Sequence, residues 1–165
     1  EPGDLTARVE LARAQVLTGQ KEDGALSYRR AYKWSMHRSE VDQAIIVFKE
    51  AARADLVSGF APGDLARVAL FQEKQLDYKG AASTHQLLFE HYPDVSEAER
   101  SLVRLVMLYR GKINDPQALQ YWRGTAQDFL PNGGWRNFLN DEFRQEGGLG
   151  AEVEEAPQKI LSPEL

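Results

Sequence analysis

The feature that most constrains this chain is an internal repeat with a period of 37 residues. Alanine recurs at this step, a larger and mostly apolar residue follows four positions later, and a third series lies seven positions after the alanine. The three series are Ala7, Ala44, Ala81 and Ala118; Leu11, Phe48, His85 and Trp122; and Ala14, Ala51, Leu88 and Thr125. A second set at the same step is Tyr28, Leu65 and Leu102, with Ala31, Val68 and Leu105 three positions later. Small and large residues in fixed places of such a period are typical of a stacked helical solenoid, an architecture that favours binding.

Helical periodicity runs through most of the chain, and Gly and Pro fall between the periodic segments. We predict an all-α fold with seven repeat helices and a short eighth helix. They span about 4–17, 24–37, 40–57, 63–76, 78–92, 97–111, 115–130 and 134–144. Because the eighth helix has an apolar stripe, we expect it to cap the helices before it. That stripe is Trp135, Phe138, Leu139 and Phe143.

Charge and composition divide the chain into a repeat domain at 1–144 and an acidic tail containing Gly and Pro at 145–165. The net charge is −5, and the residues from Asp141 onward carry all of it, with seven acids against two bases. The preceding 140 residues hold 18 acids and 18 bases. Because phosphate binding needs a net basic surface, a neutral body disfavours nucleic acid as a partner.

The repeat resembles the tetratricopeptide repeat. Ala44, Phe48 and Ala51 resemble the small–large–small pattern of that family's second helix, and the next unit adds Tyr78, Ala81 and Pro93. The resemblance covers about 4–130 and implies a right-handed superhelix of antiparallel helix pairs. The phase is open at the first helix, since Leu11, Gly19, Tyr28 and Ala31 also fit a repeat that begins there.

The resemblance also implies a binding groove, because in this family the first helix of each unit lines the concave surface. The residues carried over are Arg29, Lys33, Met36 and His37; Leu70 and Lys74, with Ala66 and Glu73 beside them; and Arg100, Val103, Met107 and Arg110. This surface would be basic, with an apolar floor of Leu70, Val103 and Met107. A peptide with acidic flanks suits it, and the alternative is an ordinary solvated helix face.

We expect no catalytic residues, no metal site and no cofactor. The chain has no cysteine, and its only histidines are His37, His85 and His91. His85 and His91 are six residues apart, which does not place them on one helical face for a metal. No Gly-x-Ser-x-Gly motif occurs, and Gly147–Gly150 has no following lysine of a phosphate-binding loop. His85 is expected to be a packed core residue.

The expected function is non-catalytic binding of a protein or peptide, with a cytoplasmic location favoured. No apolar run approaches the ~20 residues that span a bilayer, and the chain begins at Glu1, so we expect any membrane segment to lie outside it. The alternative is a regulatory or oligomerising appendage of a larger protein, such as a bacterial rhomboid-like membrane protease. The tail could also fold onto the groove or support self-association, through Val153, Ile160 and Leu161.

Overall fold

The chain forms eight α-helices over residues 4–145, the part that the computed structural model describes. They are α1 (Leu5–Leu17), α2 (Lys21–His37), α3 (Val41–Arg53), α4 (Pro62–Lys74), α5 (Tyr78–His91), α6 (Ser96–Gly111), α7 (Pro116–Phe129) and α8 (Gly134–Gln145). A 3-10 turn, Val57–Gly59, joins α3 to α4, and no strand forms in this part of the chain. The all-α prediction is confirmed.

The chain divides into two compact units, the first ending at Leu130 and the second beginning at Pro131. Helices α1 to α7 belong to the first unit. The second unit contains α8, in which the rings of Trp135 and Phe138 meet edge to face at 6.2 Å. The capping role expected of α8 stays a prediction. The roles expected of the tail fall on residues 146–165, outside the described part.

Three helices of the first unit begin at an aspartate that caps them. The carboxylates of Asp4, Asp77 and Asp115 accept hydrogen bonds from backbone N–H groups in the first turns of α1, α5 and α7. Each bond satisfies a donor that has no partner inside the helix. These caps fix where α1, α5 and α7 start.

Consecutive helices of the first unit pack against one another, and their short connections make neighbours antiparallel. Alternate helices also touch, which produces two layers. In the even layer (α2, α4, α6), the Tyr32 hydroxyl donates to the Asp64 carbonyl at 3.4 Å, and Arg104 pairs with Glu73. This packing in neighbouring pairs is compatible with the predicted helical repeat.

The odd layer (α1, α3, α5, α7) is joined in the same way. The Arg13 guanidinium donates to both carboxylate oxygens of Glu50, at 2.6 and 2.8 Å, and so connects α1 with α3. The ring of Phe89 on α5 lies edge to face with that of Trp122 on α7, with centroids 6.3 Å apart. Each layer therefore runs through the whole first unit.

Most positions of the repeat are buried, but those of α1 are out of phase. Ala44, Ala81 and their partners in the second set are in the core. In contrast, Ala7 and Leu11 are exposed, and α1 buries Val9 and Ala12 instead. The alignment of α1 with α3 is therefore wrong. The physical reason is that α1 packs on the helix that follows it, whereas α3 packs mainly on the helix before it.

Helix α3 ends four residues before its predicted end at position 57. Asp55 adopts a left-handed conformation (φ 56°), which terminates the helix. The chain can then turn Val57 and Phe60 inward, and the Phe60 ring lies 5.5 Å from that of Tyr32 and 5.3 Å from that of Phe48. The connection therefore contributes core residues that a straight helix would have pointed elsewhere.

Candidate binding face

Each helix of the even layer leaves one stripe of side chains open to solvent, and the three stripes occupy the same repeat positions. The spacing of 37 residues relates every residue of the α2 stripe to one on α4 and one on α6. We call the set the arginine face. It consists of Leu26, Arg30, Lys33 and His37; Gly63, Arg67, Leu70 and Lys74; and Arg100, Arg104, Met107 and Gly111. All are exposed except Met107, which is half-buried.

The arginine face is basic at its twelve positions, and the exposed acids Glu22 and Asp23 lie next to it in the first turn of α2. Four arginines, two lysines and one histidine share it with three apolar side chains, Leu26, Leu70 and Met107. Since residues 1–140 carry as many acids as bases, this face concentrates positive charge that other surfaces of the chain balance. A surface with both charge and apolar area can attract an anionic partner and also bury part of it.

One row of the face is arginine in all three helices: Arg30, Arg67 and Arg104. Within residues 4–145, the side chains of Arg30 and Arg67 form no hydrogen bond or ion pair, whereas Arg104 pairs with Glu73. The sequence analysis included none of these three arginines in the predicted groove, although the same step of 37 residues would have revealed the row. The positions taken from the family resemblance lie beside this row.

Six of the ten residues predicted for the groove lie on the arginine face. They are Lys33, His37, Leu70, Lys74, Arg100 and Met107. Lys33, Leu70 and Met107 form the row next to the arginines, three positions further along each helix. The structure therefore brings these predicted residues to equivalent positions on three neighbouring helices.

The other four predicted residues are not part of these exposed stripes. Arg29 turns towards α4, where its Nε donates to the Asp64 carboxylate at 3.3 Å. Met36 packs against the core, and Arg110 Nη1 lies 3.7 Å from the Met107 sulfur. Val103 is only 3% exposed, so it belongs to the core and does not form the floor of an open groove.

Glu73 holds Arg104 in place from a nearly buried position between helices. Its carboxylate accepts hydrogen bonds from Arg104 Nε and from the His85 ring nitrogen Nε2, each at 3.2 Å. Burial alone would raise the pKa of Glu73, but the hydrogen bonds from His85 and Arg104 outweigh it and lower that pKa. Glu73 therefore joins α4 to both α5 and α6.

His85 also lies 3.0 Å from the Ser101 hydroxyl through Nδ1, so serine, histidine and glutamate form a chain. The arrangement resembles a catalytic triad, with Ser101 in the place of the nucleophile and His85 in the place of the base. However, Ser101 is 2% exposed and His85 is also buried. A substrate cannot reach a nucleophile in that position. The prediction that His85 is a packed histidine is confirmed, and the chain of hydrogen bonds stabilises the core.

Within residues 4–145, no three His, Cys, Asp or Glu side chains come together in a way that could hold a metal ion. None of the helices described there is long and apolar enough to span a bilayer. Comparison with protein-family models, with curated proteins and with solved structures finds no match. The function of the chain must therefore be inferred from the arginine face itself.

Proposed function

We propose that this chain is a non-catalytic protein-binding module that holds a segment of a partner along the arginine face. The observation that carries the proposal is the repetition of one exposed, predominantly basic stripe on three alternate helices, α2, α4 and α6. The core is formed by the opposite sides of these helices, so packing does not explain the residues of the exposed stripe. A basic stripe repeated at the same positions therefore indicates a role other than folding.

The apolar and basic residues would serve different purposes in such a complex. Leu26, Leu70 and Met107 would lose water on binding and stabilise the complex. The arginines and lysines would select acidic segments and speed their association. We further propose that the first unit is a right-handed superhelix of the tetratricopeptide type, with the arginine face on its concave side.

A peptide-display selection tests the proposal with matched variants. The face variant replaces Lys33, Leu70 and Arg100 with glutamate. The control variant also introduces three glutamates, at Lys79, Ile46 and Arg53. These are exposed residues of similar type on the odd layer. We expect sequences enriched on the parent protein to bind the control variant and to lose binding to the face variant, with both variants melting like the parent. Enriched sequences that bind all three proteins equally would refute the proposal.

A further inference from the structure

We propose that Arg30, Arg67 and Arg104 form a ladder of guanidinium groups that binds acidic side chains spaced about three residues apart in an extended protein segment. This inference rests on the proposed function and specifies its ligand. It depends on the row of arginines, which the groove predicted from the sequence did not include.

The expected spacing follows from the usual distance between packed helices. The three arginines occupy one repeat position on helices that contact their neighbours directly, through Tyr32 and Asp64 and through Glu73 and Arg104. Packed helices lie roughly 8–10 Å apart. An extended chain advances about 3.3 Å per residue, so every third residue of a bound segment would meet the next arginine.

The chemistry of the row fits carboxylates. Arg30 and Arg67 are exposed, and neither forms a side-chain hydrogen bond or ion pair within residues 4–145. A guanidinium donates two parallel hydrogen bonds to a carboxylate, which gives direction as well as charge. Glu73 fixes Arg104 through Nε and Nη2, so Nη1 is left for a ligand in a defined orientation.

A protein segment fits the face better than a nucleic acid. Binding of single strands depends on aromatic side chains on which bases stack. The arginine face has none among its exposed residues, and the ring of the half-buried Phe71 beside it is already contacted by the Lys74 ammonium, 5.6 Å from the ring centroid. Phosphate backbones also require a net basic protein, whereas residues 1–140 are neutral overall. The apolar Leu70 and Met107, each three positions from a ladder arginine, would contact side chains between the acids.

The test uses labelled synthetic peptides of one composition and fluorescence anisotropy. The first peptide has three glutamates at every third position, the second has them side by side, and the third has glutamine in their place. A single-stranded oligonucleotide is the fourth probe. The proteins are the parent, Arg30→Gln, Arg67→Gln, the double variant and Arg53→Gln, which removes an exposed arginine from the odd layer. Arg104→Gln is also tested, and its melting temperature is measured alongside its binding. The measurement is needed because losing Arg104 removes one hydrogen-bond partner of Glu73.

We expect the spaced peptide to bind the parent most tightly. Arg30→Gln and Arg67→Gln should each weaken it by about 3–10-fold, the range between exposed ion pairs and charged hydrogen bonds. Arg53→Gln should bind like the parent. Equal binding of the spaced and adjacent glutamates, equal losses in all arginine variants, or tighter binding of the oligonucleotide would each overturn the ladder.

The outcome also separates this inference from the proposed function. Display-selected sequences that require Lys33, Leu70 and Arg100 but tolerate Arg30→Gln and Arg67→Gln would overturn the ladder and leave the binding function standing. Selected sequences whose binding is unchanged by every substitution on the arginine face would refute the proposed function itself.

Discussion

Glu73, on α4, forms hydrogen bonds with residues of both α5 and α6. Its carboxylate is almost enclosed, and it accepts hydrogen bonds from His85 and from Arg104. A nearly buried carboxylate stabilises a fold only while such partners compensate for its lost hydration. Glu73 therefore links the packing of the core to the orientation of Arg104 on the arginine face.

The lowered pKa of Glu73 predicts how stability depends on pH. The unfolded chain takes up a proton near the usual value of 4.5, whereas the folded chain does so only at lower pH. The contribution of Glu73 to the free energy of unfolding is therefore complete above that value and is lost as the pH falls through the folded pKa. Glu50 and Asp77 also have lowered pKa values and add to this acid sensitivity.

Glu73→Gln tests this contribution. The variant should lose about 1–3 kcal/mol of unfolding free energy at pH 7, because an amide cannot replace the charged hydrogen bonds. Its stability should then fall less than that of the parent between pH 5 and pH 3. Urea unfolding at several pH values measures both effects. Parallel pH profiles for the two proteins would show that Glu73 does not titrate as the structure implies.

Ala44 and Ala7 form a matched pair at one repeat position, because Ala44 is 0% exposed and Ala7 is exposed. Ala44→Trp should overfill the core and cost about 1–3 kcal/mol or more. Ala7→Trp should change stability by less than about 0.5 kcal/mol. Thermal melting of both variants checks the phase of the repeat. A larger loss in Ala7→Trp would mean that α1 is packed the other way round.

At the scale of elements, the ends of α2 and α4 share a strained turn. Ser39 and Leu76 are 37 residues apart, and both adopt left-handed backbone conformations, with φ of 61° and 63°. This conformation closes a helix and costs a residue with a side chain about 1–2 kcal/mol. Neither residue is glycine, so the usual sequence signal for a left-handed residue after a helix is absent at both positions.

Leu76→Gly should stabilise the protein by about 0.5–1 kcal/mol, since glycine relieves the turn and its greater freedom in the unfolded chain offsets only part of the gain. The Leu76 side chain is 69% exposed, so little packing is lost. Leu70→Gly, inside α4, should have the opposite sign and cost about 1 kcal/mol. Chemical denaturation of the two variants measures the difference, and a destabilised Leu76→Gly would contradict the turn geometry.

The sequence predicted the helices well because apolar periodicity and aspartate caps are local signals. The end of α3 was missed, since the burial of Phe60 after it depends on the distant partners Tyr32 and Phe48. The exposed arginine row lies one position around each helix from the predicted groove residues, as with Arg30 beside Arg29. Only tertiary contact distinguishes these neighbours, because Arg29 is drawn to Asp64 on α4.

At the scale of the whole molecule, charge is separated although its sum over residues 1–140 is zero. The balancing acids lie outside the twelve positions of the arginine face, for example Glu22 and Asp23 at its α2 end and Glu50 in its pair with Arg13. A basic surface on a neutral body can orient an acidic partner without binding every polyanion. Salt should therefore weaken binding of the partner, because exposed charges are screened.

The most direct measurement of the central claim is an NMR titration of the isotope-labelled 18.6 kDa chain with the tightest segment recovered by display. We predict shifts at Lys33, Arg67, Leu70 and Met107 on the even layer. Signals from exposed odd-layer residues, namely Ile46, Arg53 and Lys79, should stay unchanged. Shifts that map to the odd layer and leave the arginine face unaffected would contradict the account.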